Sequence, residues 1–469
     1  MTYHFDTTYT RLNHHLFQWV NKPDFADPEI ILANLPLIRK LGIQYSLDQN
    51  PAKLLGADCP DRPFAQAYSG HQFGYFTNLG DGRAMILGEH ITPENERFDI
   101  QLKGSGKTRY SRNGDGKATA SSMLREYLFG YAMSRLGIDT SQSLAVLSTN
   151  QKVLRKNISE GAVLIRVMKS HIRFGTFEYV SAFCPKEVLQ EFTDYVIERH
   201  YPQLQDKENK YVRFFQAVIA RTIAMVVDWY RVGFVHGVMN TDNMSITGET
   251  FDYGPCAFMN RYDPSTTYSE IDRHGRYSFK NQKAILQWNL SVFGITLMPL
   301  LDPDVTRAEN VIKNEIEAFD SQFTAKYVEM MKRKLGITGP GSHEGLIRRL
   351  LLVLEENSID YTNAFVELMF PGSFNEKAYR SKDFLEIRFA LQKAGSDPEV
   401  MRENNPQRIL RNHLIEEALN EYEKNGNLDK VEGLLKALSA PYEKSDDLAD
   451  YQQPPSQEYD KMYSTHCNT

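Results

Sequence analysis

The residues HGVMNTDN at 236–243, followed by DYG at 252–254, constrain this chain more than any other feature. Asn243 offers a carbonyl oxygen and Asp252 a carboxylate, hard ligands suited to Mg2+ or Mn2+ bridging nucleotide phosphates. The segment between them, MSITGETF, reads as strand, turn at Gly248 and strand, which would return Asp252 to the side of Asn243. Upstream, FFQAVIARTIAMVVDWYRVG at 214–233 is a mostly apolar helix leading directly into this loop. Asp242 is the loop's only carboxylate, and Val238 cannot take a proton.

This spacing resembles the catalytic loop of a protein kinase, H-R-D-x-x-x-x-N, and its Asp-Phe-Gly, with one part displaced. When His236 and Asn243 are aligned with that pattern, Val238 stands where the base belongs and Asp242 lies four positions later. His236 is expected to support the loop through hydrogen bonds. The pattern predicts an α+β, bilobal, kinase-like fold without requiring kinase chemistry.

The order of elements agrees with that prediction. From about 64 to 103, short apolar runs alternate with Gly-rich turns, as antiparallel strands do. The stretch 119–137 places Met123, Leu124, Tyr127, Leu128, Tyr131, Ala132 and Leu136 on one helical face and stops at Gly137. Strands follow at 144–148 and 161–168, helical periodicity dominates afterwards, and QWNLSVFGITLMPLL at 287–301 predicts a mostly apolar helix. The expected division is an N-terminal extension over 1–62, a small sheet lobe over 63–170 and a larger helical lobe over 171–303. A helical region over 304–444 and a polar, proline-bearing, flexible tail over 445–469 complete it.

The sheet lobe carries the candidate nucleotide contacts. Gly80 and Gly82 form a turn that lets backbone approach phosphates, and Arg83 adds charge. Lys103 ends a strand and Glu126 lies on the next helix, the arrangement of a strand lysine paired to a helix glutamate. GSGKT at 104–108 imitates a P-loop, but Gln101 replaces the required glycine and no helical pattern follows. The Gly-rich loop from Lys103 to Lys117 instead suits a mobile anion-binding lid, with Asp115 and Gly116 at its mouth. Arg166, in a buried strand, and Arg173, just beyond it, are open to two readings: a structural ion pair, or a grip on terminal phosphates.

Composition narrows the partners. With 469 residues, 41% hydrophobic, 24% charged and a formal net charge of -6, the chain has room for several cores and no basic excess that would call for nucleic acid or a membrane surface. No apolar run is expected to approach the ~18 residues of a membrane span. The first residues lack the features of a signal peptide, which favours a cytoplasmic protein. Cys59, Cys184, Cys256 and Cys467 form no CxxC pair, so free thiols are expected.

The segments PFAQAYSGHQFGYF, LGDGRAMILGE, QLKGSGKTRYSRNGDGK, HIRFGTFEY and GFVHGVMNTDNMSITGETFDYGPCAFMN together resemble selenoprotein O and its bacterial relatives, the SelO proteins. The likeness extends to NPQRILRNHLIEEAL at 405–419 and so covers most of the chain. It implies a kinase-like fold that binds ATP in a flipped orientation and transfers AMP to hydroxyls of proteins, self-modification included. It also implies Asp242 as proton acceptor, Asn243 and Asp252 as metal ligands, and Lys103 with Glu126 as the ion pair. Gly80, Gly82, Arg83, Asp115, Gly116, Arg166, Arg173 and Asp252 fall on nucleotide-binding positions. The tail departs from the family: it ends THCNT, so a redox pair within it is excluded, and Cys467 is left to a distant thiol such as Cys256. UMP transfer from UTP, a conventional kinase and an inactive nucleotide-binding scaffold remain as alternatives.

Overall fold

The computed structural model describes residues 2–155 and 157–465. Among these, a mixed α and β architecture is built around one antiparallel sheet. Its strands are β1 (Phe17–Trp19), β2 (Glu29–Ala33), β3 (Phe64–Gln66), β6 (Ala84–Ile91), β7 (Arg97–Lys103), β8 (Ala118–Thr119), β9 (Gln142–Leu154) and β10 (Ile158–Met168). They run in the order β1-β3-β6-β7-β10-β9-β2, with β8 on β10. A separate hairpin joins β4 (Ser69–Gln72) to β5 (Tyr75–Asn78), and β11 (Phe234–Val235) pairs with β12 (Ala257–Phe258). The first 62 residues are not an appendage to the sheet: β1 pairs with β3 and β2 with β9, so they supply both of its edges.

Register prepares the site. Lys103 lies opposite Leu164, and Gln101 opposite Arg166. Because side chains alternate along a strand, Lys103, Gln101 and Arg166 share one face. Helix α2 (Ala120–Arg135), which follows the short helix α1 (Leu35–Lys40), covers that face through its buried Met123, Leu124, Tyr127 and Leu128, and brings in Glu126. Thr119 caps α2 by accepting from the Ser122 amide.

The helical part follows. Helices α3 (Phe174–Phe183), α4 (Lys186–His200), α5 (Lys210–Val232), α6 (Gln282–Leu301) and α7 (Val305–Lys334) pack through an aromatic core in which Phe174 stacks on Phe293 at 4.7 Å. α5 ends at Gly233, whose φ of +72° lets the chain turn into β11 and the 236–243 loop. The region Phe279–Leu301 is, contrary to expectation, long and apolar enough to span a membrane by length and composition. In the fold α6 packs against α3, α5 and α7, and its buried Gln282 and Asn289 point at the loop. Asn289 donates to the Met239 carbonyl at 3.0 Å, and Gln282 bonds both the His236 amide and the Phe234 carbonyl.

Two expectations are corrected. Residues 244–251 form no strand pair; Ser245, Thr247 and Glu249 satisfy one another through short side-chain bonds, which compete with a ladder, and the turn falls at Gly248 with φ +74°. The described part of the tail is folded rather than flexible. Helix Gln457–Met462 brings Asp460 to Arg261 and Asn260, and Thr465 bonds the carbonyls of Pro255 and Tyr268. Cys467 lies outside the described residues, and Cys59 and Cys184 are free thiols.

Arg411 joins these parts. Fully buried, it bonds both oxygens of Asp360 at 2.6 and 3.1 Å, along with Asn260, Asn363 and the Gln452 carbonyl. Removing it strands a buried carboxylate, so Arg411→Ala is expected to lower stability by about 3–5 kcal/mol in urea denaturation. A loss under about 1 kcal/mol would show that this junction is not a keystone.

Candidate active site

A cleft of about 830 Å³ lies between the sheet and the helices. Gly80, Gly82, Arg83, Lys103, Asp115, Gly116, Arg166, Arg173, Asp242, Asn243 and Asp252 all line it. Glu126 sits behind Lys103, buried.

The centre is a buried charge cluster. Lys103 Nζ donates to Glu126 Oε2 and to Asp252 Oδ1, both at 2.6 Å. Arg166 Nη1 reaches the same Asp252 oxygen at 2.6 Å and Glu126 Oε1 at 3.0 Å, while its other nitrogens bond Gln101 Oε1. Arg173 approaches Asp252 Oδ2 at 3.6 Å, donates to the Asp242 carbonyl at 2.9 Å, and lies over the rings of Tyr68 and Phe251. Three cations therefore surround one carboxylate. Burial alone would raise the Asp252 carboxyl, but Arg166, Lys103 and Arg173 outweigh it and hold the group well below the usual range. Its backbone, at φ +61°, is in the left-handed region that non-glycine residues rarely adopt, a strain that functional sites retain.

Asp242 has the opposite environment. Burial pushes its carboxyl up to about 6 against the pull of Arg173. Its Oδ1 is buried with no hydrogen-bond donor among the described residues, and it faces Gly70, where an added Cβ would lie 2.5 Å away. A buried carboxylate with one oxygen lacking a donor holds a proton more readily than an exposed one. Asn243 is oriented by the bond from its Nδ2 to the Val238 carbonyl at 3.0 Å, which leaves Oδ1 as an acceptor. His236 bonds the Phe251 carbonyl and accepts from the Val238 amide, so it braces the loop.

The fit to a divalent cation follows from these donors. No group of three His, Cys, Asp or Glu residues suited to a metal exists among the described residues. Asn243 Oδ1 and the Asp252 carboxylate are hard oxygen donors on the same cleft, a pair whose chemistry would fit a divalent cation together with phosphate oxygens and water.

The Gly-rich loops differ from expectation. A Cβ on Gly80 would meet the Tyr110 ring at 2.3 Å, and one on Gly82 the Tyr110 carbonyl at 2.8 Å, so these glycines admit the neighbouring loop. Thr108 donates to the Asp81 carbonyl and Ser111 to that of Gly82, which pins the 104–117 loop rather than leaving a free lid. After GSGKT only a single 3-10 turn, Arg109–Ser111, forms. Asp115 accepts from both Arg155 nitrogens, which hold its carboxyl at about 2.

Several residues were not foreseen. Asp81, buried and pushed up to about 6 by desolvation, faces Arg173. Tyr68 stacks under that arginine. Gly70 and Gly175 leave room for Asp242; a Cβ on Gly175 would stand 2.0 Å from the Ser69 carbonyl and 3.3 Å from Asp242 Cα. Only the glycines themselves, in SGHQ and RFG, signalled this in the sequence.

The chain thus brings a strand lysine, a helix glutamate and an Asn-Asp oxygen pair together around one cleft. Comparison with known families then identifies it: the family described as "Protein adenylyltransferase SelO" matches residues 1–439. Proteins named "Protein nucleotidyltransferase YdiU" align along the whole chain. That of Nitrosococcus oceani is 40% identical over 100% of this chain and 97% of its own length. Those of Brevibacillus brevis and Clostridium perfringens are 43% identical, each over 100% of this chain and 98% of its own length. The chain belongs to the SelO family of protein adenylyltransferases.

Gly70→Ala is expected to displace the Asp242 carboxylate and lower the rate of nucleotidyl transfer roughly 100-fold, with nucleotide affinity kept. Rate and equilibrium binding measured on the same preparation check this; an unchanged rate would mean that the position of Asp242 does not matter.

Proposed function

We propose that this chain transfers AMP from ATP to Ser, Thr or Tyr hydroxyls of proteins, from a kinase-like cleft that holds ATP flipped. The observation that carries this reading is the convergence of Lys103, Arg166 and Arg173 on the single carboxylate of Asp252. Arg83, Lys103, Arg112, Lys117, Arg155, Arg166 and Arg173 line the cleft against the carboxylates of Asp81, Asp115, Asp242 and Asp252 and that of Glu126 behind Lys103, so a triphosphate entering it meets an excess of positive charge. In the flipped orientation the β- and γ-phosphates lie against these cations and the α-phosphate faces Asp242.

The acceptor oxygen then forms a bond to the α-phosphorus while the bond to the β-phosphate oxygen breaks. Asp242 takes the hydroxyl proton, and pyrophosphate leaves against Lys103, Arg166 and Arg173, whose fixed charges stabilise it as it forms. A bound Mg2+ or Mn2+, held by Asn243 and Asp252, would supply further neutralisation of phosphate charge. The bracing of the 236–243 loop by His236, Gln282 and Asn289 keeps Asp242 in place, so little reorganisation is needed at the moment of transfer. The kinase-like reading is supported by the Lys103–Glu126 pair at 2.6 Å and by the loop bearing His236 and Asn243. It accounts for Val238 at the usual base position, because Asp242 supplies the carboxylate instead.

The direct test is incubation of the full-length protein and a cell extract with ATP labelled at the α- or the γ-phosphate, with α-labelled UTP in parallel. Label on protein from α-labelled nucleotide alone is expected, and its absence with Asp252→Ala. Label from γ-labelled ATP alone would overturn the proposal, and label from UTP in preference to ATP would reassign the nucleotide. Asp242→Asn is expected to lower the turnover rate roughly 10²–10⁴-fold with nucleotide affinity within about twofold of wild type. A wild-type rate would remove Asp242 from the chemistry.

A further inference from the structure

We infer that the β4–β5 hairpin is the docking surface for the protein acceptor, and that it selects an extended segment carrying a large apolar side chain next to an acidic one. The inference rests on the adenylyltransfer reading, which requires a polypeptide to reach Asp242.

The hairpin is fastened to the catalytic loop at successive residues. The His71 amide donates to Thr241 Oγ1 at 2.7 Å, the Phe73 amide to Asn240 Oδ1 at 3.1 Å, and Gly70 abuts Asp242. His71 is further held by Glu178 at 2.5 Å. Tyr68, Gln72 and Phe73 line the cleft, so the hairpin surface is continuous with the site of transfer.

Its outer strand is open. The turn at Phe73 and Gly74, both at positive φ, makes Gln72 and Tyr75 the first hydrogen-bonded pair, so the polar groups of His71 and Phe76 face away from the hairpin. His71 uses this direction to reach Thr241. On β5 the Phe76 amide and carbonyl face outward, and no strand pairs with that edge among the described residues. An extended polypeptide can add there, as in β-strand addition.

The surface beside this edge is aromatic. Tyr75 is 79% exposed, Phe76 46% and Phe183 52%, with Phe76 and Phe183 ring centroids 6.3 Å apart. Such a cluster next to an open edge provides a site for one large apolar side chain. The two ends of β5 are basic. Arg112 donates to the Asn78 carbonyl, and Arg276, stacked on Trp288, lies beside Gly74. Neither guanidinium makes an ion pair with a carboxylate among the described residues, so an acidic residue in the acceptor segment complements them.

The test uses short peptides, each with one Ser, Thr or Tyr and permuted flanks, alongside cell extract, full-length enzyme and α-labelled ATP. Peptides with Phe, Trp or Leu near Asp or Glu are expected to be labelled about tenfold faster than matched Ala- and Lys-flanked peptides. In the double variant Phe76→Ser, Phe183→Ser that ratio is expected to fall to about one, with nucleotide affinity and thermal transition unchanged. Equal labelling of all peptides by wild type, or a preference that survives the double variant, overturns the docking site alone. Labelling of extract proteins at an undiminished rate by the double variant does the same. No label in any peptide or in extract overturns the transfer reading, and the docking site with it.

Discussion

The cluster of Lys103, Glu126, Arg166, Arg173 and Asp252 is the interaction around which the rest of the molecule is arranged. Desolvating so many charges is costly, and buried ion pairs contribute little net stability over apolar residues of similar size. What the cluster does provide is a set of cations, held by Asp252 and Glu126 with Asp81 facing Arg173, fixed at the cleft. Its members come from β7, α2, β10, the residue before α3 and the segment before β12, so the sheet register and the α2 packing are both required to assemble it. Asp252 and Asp242 differ through their surroundings. Cations hold Asp252 ionised, while Asp242, with an orphaned buried oxygen, keeps an appreciable affinity for protons.

Much of this was legible in the sequence because motif spacing and alternation are local signals. HGVMNTDN and DYG placed Asn243 and Asp252 on one cleft although the residues between them do not form the expected strands. The alternation in RFDIQLK and GAVLIRVM put Lys103 and Arg166 on faces that the antiparallel register then brought together. The glycines were visible but their purpose was not. Gly80 and Gly82 accommodate Tyr110, and Gly70 and Gly175 accommodate Asp242, close approaches between segments far apart in sequence.

The ends of the chain were harder to read for the same reason. Residues 1–62 look like an extension because β1 and β2 are short, yet pairing with β3 and β9 makes them sheet edges. The tail has the composition of a disordered segment. Its described part is ordered by a few specific contacts, Asp460 with Arg261 and Asn260, and Thr465 with the carbonyls of Pro255 and Tyr268, which dock it on the segment that follows Asp252. The helix at Phe279–Leu301 shows the converse: its apolar composition reflects burial among α3, α5 and α7, and Gln282 and Asn289 brace the 236–243 loop.

In the proposed function the same cationic cluster holds the end of the triphosphate that leaves. A crystal structure of the full-length protein with a non-hydrolysable ATP analogue and Mn2+ tests this. The α-phosphate is expected nearest Asp242, with the β- and γ-phosphates against Lys103, Arg166 and Arg173 and the metal on Asn243 and Asp252. A γ-phosphate facing Asp242, with the base at the cluster end of the cleft, would contradict it.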